Sequence, residues 1–220
     1  MNREEFCRLH WNYYLMLETD FIDIERYISF DLGDNYLYDM APVKDYANSR
    51  TFSNEFVKQY QTICSEVDVI LKSICRELEN KVVESMPEYT EVVFNHWSNI
   101  FNQKVKIGDG ELQPFRNWSQ KPSYKAPDWW KSYNSVKHAR LENSQEANLK
   151  NVVNALAGLY ILELYLVKFI GDRDNTIDVP NDKSRLFELV NFTTRDKVIG
   201  REKYSLSIDE MEKWFVNGEN

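Results

Sequence analysis

The run 152–170 constrains the fold more than any other part of the chain. Placed on a helix, its apolar residues, among them Leu156, Leu159, Tyr160, Leu164 and Val167, cover more than one stripe. A helix of that kind has to be enclosed by lipid or by other helices. Asn154, Glu163 and Lys168 interrupt the run, and a membrane span rarely carries such side chains. Residues 144–170 are therefore read as the most buried helix of a bundle, with no membrane involved and with Gly171 as C-cap. Ala155, Ala157 and Gly158 form a small-residue patch that another helix can approach closely.

The neighbours needed to enclose it are legible as further periodic segments. From 53 to about 85, Phe56, Tyr60, Ile63, Val67, Ile70, Leu71 and Ile74 recur at three-four spacing. Helices are also expected from 88 to about 102 and from 128, capped by Asp128, to about 142. Near the N-terminus, 4–18 reads as a helix, 21–28 as helix or strand, and 31–35 as a turn. The long connection 103–127 holds a short strand at Val105-Lys106-Ile107 and a turn at Gly108-Asp109-Gly110, with Phe115, Trp118 and Tyr124 available to pack it down. In the tail, 185–190 and 196–199 suggest a hairpin, and 207–215 a short helix. The expected fold class is mainly α: an up-down helical bundle with a small irregular or β-containing C-terminal piece. Residues 1–50 would form an N-terminal extension, 51–171 the bundle core, and 172–220 an appendage of the same domain.

Composition narrows the function classes. A net charge of −8 over 220 residues excludes a broad electrostatic footprint for nucleic acid, although a local basic pocket remains compatible with it. Cys7, Cys64 and Cys75 are odd in number and lack metal-ligand spacing. They read as reduced thiols in a cytoplasmic protein. The opening MNREEFCRLH has no apolar signal region. His10, His96 and His138 lie far apart, and no HExxH, CxxC or glycine-rich phosphate loop occurs, so neither a metal nor a cofactor is expected.

The segment 129–140 concentrates the chemistry-bearing residues. On a helix, Trp130, Asn134, Lys137, His138 and Leu141 fall on one face. His138 is the acid/base candidate, because imidazole titrates near neutral pH. Asn134 would position a substrate oxygen, Lys137 and Arg140 would neutralise a phosphate or carboxylate, and Trp130 would stack on a base. Each has a structural alternative: a helix-bridging His and Asn, a solvated cationic turn, and a core indole. Glu66 and Asp68, in Cys64-Ser65-Glu66-Val67-Asp68, would either orient this cluster or form a buried ion-pair network.

The run Tyr133-Asn134-Ser135-Val136-Lys137-His138 resembles the signature of HEPN-domain proteins, helical bundles in which an Arg, often followed by a polar residue, precedes a His on one helix. Asn134 and His138 match the polar residue and the His, while Tyr133 stands where the motif has Arg. The resemblance implies a metal-independent ribonuclease of a phage-defence or toxin system, or a degenerate relative. It also implies RNA as substrate and a homodimer that completes the site. A wider pattern resembles a group of bacterial proteins and implies a shared fold over residues 50–170. It comprises Pro114-Phe115-x-x-Trp118, Trp129-Trp130-x-x-Tyr133-Asn134, Lys137-His138-x-Arg140 and Asn154-Ala155-Leu156-Ala157-Gly158-Leu159, together with the run 64–68. The alternative function is a non-catalytic helical module that binds a protein partner.

Overall fold

The computed structural model describes residues 1–31 and 48–190 and two strands further on. The turn expected at 31–35 lies, beyond Asp31, outside the described residues, as does the helix expected at 207–215. The protein is mainly α-helical with a small antiparallel sheet, as its periodicity predicts.

The chain begins with a nearly continuous helix. It comprises α1 (Arg3–Phe6), a π-helical turn Cys7–Trp11, and α2 (Asn12–Asp23). Asn2 caps it through a reciprocal bond with Glu5. Phe6, Trp11, Tyr14 and Phe21 bury their side chains in the same core as the long helices that follow. Residues 3–23 are thus one wall of the bundle.

Helix α3 (Asn54–Glu79) starts where the Ser53 hydroxyl accepts the Phe56 N–H. It stops before the expected 85 because Asn80 adopts the left-handed conformation, φ 51°, while its N–H still bonds Arg76 O. Helix α4 (Met86–His96) has Pro87 in its first turn and a Ser85–Glu88 capping box. The end of its expected span is instead a separate 3-10 turn, Ile100–Asn102. Helix α5 (Asp128–His138) breaks at Ala139, and a four-residue α6 (Arg140–Asn143) follows. The break is held by the Asn143 amide, which donates to the carbonyls of Ser135 and Ala139.

Helix α7 (Leu149–Arg173) is the central element, buried along nearly its whole length. By length and composition it passes for a membrane span, but 89% of its most apolar window is covered by the rest of the chain. It starts later than expected, at an Asn148 cap, because 144–146 forms a 3-10 turn. Its first N–H groups, on Leu149 and Lys150, bond the carbonyls of Thr51 and Ser49, which stitches its start to the start of α3. At the far end Arg173 pairs with Glu77. Helices α3 and α7 therefore run parallel. The N-terminal helix lies antiparallel to α3: Gln59 bonds Asp20 O, and the Met1 amino group pairs with Glu77 at 2.6 Å.

Gly171 does not cap α7. It lies within the helix, where a Cβ would collide with the Asp178 backbone, so glycine permits the returning chain to pass there. The small-residue patch works as expected: a Cβ on Gly158 would meet the Trp129 ring at 2.9 Å. That ring is fixed by its own N–H bond to Pro114 O. Phe115 and Trp118 are buried and fasten the long connection to the bundle. The strand expected at 105–107 is β1 (Val105–Ile107); it pairs with a second strand, β2 (Gly110–Leu112), across a turn with Gly108 at φ +53°.

The tail departs from expectation. Strand β3 (Glu188–Leu189) pairs with β1, not with the following segment. A separate hairpin joins β4 (Arg195–Val198) and β5 (Arg201–Tyr204). What draws 184–187 back to the bundle is Glu18. Its buried carboxylate accepts from Tyr14 OH, Ser184 Oγ and the N–H groups of Arg185 and Leu186.

Leu156 is fully buried in α7. Leu156→Ala should cost about 2–5 kcal/mol of stability through lost burial and the cavity left behind. Denaturant midpoints of the two proteins check this, and equal midpoints would refute the central placement of α7.

Candidate functional site

The residues singled out around His138 fall into two sets. Helix α5 turns Trp129, Trp130, Tyr133 and Val136 inward. Trp130 packs against Trp129 and, at 5.2 Å between ring centres, against Tyr133, so it is a core indole and offers no open face for a base. Tyr133, at the position of the motif Arg, stacks edge-on with Tyr60 of α3 and faces the bundle. The other set lies outward: Asn134 is half-buried, and Lys137, His138 and Arg140 are exposed. Asn134 and His138 stand one helical turn apart, and the Lys137 ammonium lies 5.7 Å from the Tyr133 ring. Leu141 leaves their line because the helix breaks at Ala139.

Neither carboxylate expected to orient this cluster reaches it. Asp68 accepts from Lys72 at 2.6 Å and from Tyr89 OH at 2.8 Å. Glu66 faces the opposite way, toward the N-terminal helix, with its Oε1 3.4 Å from His10 Nδ1. The reason is rotational. On α3, Glu66 and Asp68 are two residues apart and so point to different sides of the helix.

What Glu66 joins is a second cluster. His10, Glu66 and Glu163 place one donor atom each within 4.8 Å of one another. One comes from the N-terminal helix, one from α3 and one from α7, near the middle of all three. His10 sits on the π-helical turn, a departure from α geometry often found at functional sites. Its ring stacks on Phe6. Its second nitrogen, Nε2, lies 3.3 Å from Ser73 Oγ, which stands about two turns beyond Glu66 on the same face of α3. Glu163 is completely buried, and neither of its carboxylate oxygens has a hydrogen-bond partner among the described residues.

A buried carboxylate without partners is costly as an anion. Burial, and after it the nearby Glu66, hold the Glu163 carboxyl well above the usual carboxylate range. The cluster can therefore bind a proton or a cation; two carboxylates and an imidazole are a donor set for either. The thiols are no rivals. All three cysteines are buried, and burial pushes Cys75 up to about 12 and Cys64 upward as well, so neither is an activated nucleophile.

The sequence pointed to Glu66, although for a different partner. Glu163 stood out only as an acid inside an apolar helix, which was the available signal. His10 gave none, because its partners are 56 and more residues away. The chain matches no family profile, no curated protein and no solved structure.

A pH dependence follows. Folded Glu163 keeps its proton where the unfolded chain has released one, so its contribution to stability declines as pH rises from about 4.3, the ordinary glutamate value. Glu163→Gln cannot ionise. In a chelator, its stability should exceed that of the native protein by a margin that widens from about pH 4 to about pH 8. Denaturant midpoints across that interval measure the margin, and a margin constant with pH would contradict the buried-acid reading.

Proposed function

We propose that this is a metal-binding protein whose centre is the His10–Glu66–Glu163 cluster, and that it takes one divalent first-row ion. The observation that carries this reading is Glu163: a fully buried carboxylate whose two oxygens have no hydrogen-bond partner among the described residues, beside a second carboxylate and an imidazole. Such a site repels a bare negative charge, and a bound cation compensates it. With metal–donor bonds of about 2.1 Å, donor atoms around one ion lie up to about 4.2 Å apart, so small side-chain rotations suffice to close the cluster. One nitrogen and two oxygens suit manganese, iron, cobalt or zinc in the divalent state. Three protein donors leave positions for water or a substrate oxygen, which the ion would polarise. This reading departs from the expectation of no metal, which rested on spacing along the chain.

The test is metal-dependent stability. A chelator-treated protein should gain thermal stability on adding one of these ions, by about 2.7 kcal/mol at a hundredfold excess over its dissociation constant. Glu163→Gln should remain folded and lose that gain. Native protein that gains nothing from any of the four ions would sink the proposal.

A second reading keeps the surface of α5. Lys137, His138 and Arg140 are exposed together, and among the described residues none pairs with a carboxylate. That arrangement favours contact with a phosphate, in keeping with the ribonuclease that the HEPN resemblance implies. His138 would move the proton, with Asn134 a turn away and no metal required. Incubation with mixed RNA tests it: cleavage should survive EDTA and vanish in His138→Ala with the fold retained. Absence of products, or cleavage stopped by EDTA, would leave α5 as a non-catalytic surface.

A further inference from the structure

Among the described residues, Ser73 brings a hydroxyl to the far side of the His10 ring. Its hydroxyl lies 3.3 Å from Nε2, while Nδ1 lies 3.4 Å from Glu66 Oε1. A neutral imidazole carries one N–H and one lone pair, and the partner of each nitrogen decides which is where. Without a metal, the Glu66 carboxylate can only accept, so the proton belongs on Nδ1 and the lone pair on Nε2. The partner at Nε2 must then be a donor. With a metal between His10, Glu66 and Glu163, Nδ1 has to present its lone pair to the ion, and the proton must sit on Nε2. The partner there must then be an acceptor. A hydroxyl is among the few side-chain groups that can be either, simply by rotating.

We propose that Ser73 is a positioning residue for this centre, donating to His10 Nε2 in the metal-free protein and accepting from it in the loaded one, so that metal uptake inverts the tautomer of His10. This rests on the metal reading given above. The balance is simple. Nδ1 gives its proton to solvent and a lone pair to the ion, Nε2 takes a proton from solvent, and the ring is neutral before and after. Ser73 is only half-buried, so its side of the ring is the one nearer solvent. His10 itself is buried and held against Phe6, which fixes the ring plane while the protons change places.

The experiment uses full-length protein labelled with nitrogen-15 in histidine, and zinc as a diamagnetic probe. In chelator, His10 should give the pattern of an Nδ1–H imidazole; with zinc it should give that of an Nε2–H imidazole with Nδ1 ligated. Ser73→Ala should weaken zinc binding by about 10–100-fold, the effect usual for losing the partner of a metal-bound histidine. Ser73→Thr, which keeps the hydroxyl, should restore it. A native protein that binds no zinc, nor any other of the four ions, overturns the metal reading and this inference together. Zinc binding with the same tautomer in both states, or with Ser73→Ala as tight as native, overturns this inference alone. A destabilised Ser73→Ala does not blur the outcome, because the tautomer is read in the native protein.

Discussion

A helix that is apolar around its circumference cannot be left at a surface, and the rest of this protein is arranged to meet that requirement. Helix α7 is covered on one side by α3, on another by the N-terminal helix, and on a third by α5 with the connection before it. Each covering element is fixed by a specific contact. The segment 49–51 takes up the first N–H groups of α7. Trp129 leans on Gly158, and Asp178 passes over Gly171. Glycine is required at both positions for the same reason: the covering group sits where a methyl would be.

Against that background Glu163 is an exception that needs compensation. Sequences usually keep an acid out of such a position because desolvation outweighs what a neutral carboxyl offers there. Here it faces the two other polar groups that the core holds at the same height, His10 and Glu66. Placing one donor on each of three helices makes the cluster's geometry depend on how the helices pack, not on any one backbone. The π-helical turn adds to this, since its wider ring changes the angle at which position 10 leaves the helix.

The existence of the helices was legible because three-four periodicity is a local property of the chain. Their ends were less so, because these depend on single conformations such as that of Asn80 and on distant contacts such as Asn143 with Ser135. Partnership of the tail strand with β1 was hidden for a related reason: the anchor is Glu18, more than 160 residues away. At the candidate sites the same division holds. The one-turn spacing of Asn134 and His138 is real, but which side of α5 faces solvent is decided by Trp129, Trp130 and Tyr133 against the bundle. His10, Glu66 and Glu163 share no spacing at all. Only the improbability of acids at positions 66 and 163 was written in the sequence, and the one at 163 bears on lipid and on chemistry alike.

The parallel course of α3 and α7 has a further consequence, for the order in which the chain is made. Parallel neighbours cannot be joined by a short turn, and here the chain between Glu79 and Leu149 separates them. A ribosome releases the N-terminal helix and α3 first, and these can pair while the remainder is still being added. The apolar side they will give to α7 stays uncovered over many seconds at usual elongation rates. Loop closure over such distances also slows assembly beyond what helical content alone would suggest. The nascent protein therefore has an open apolar face until α7 has been added.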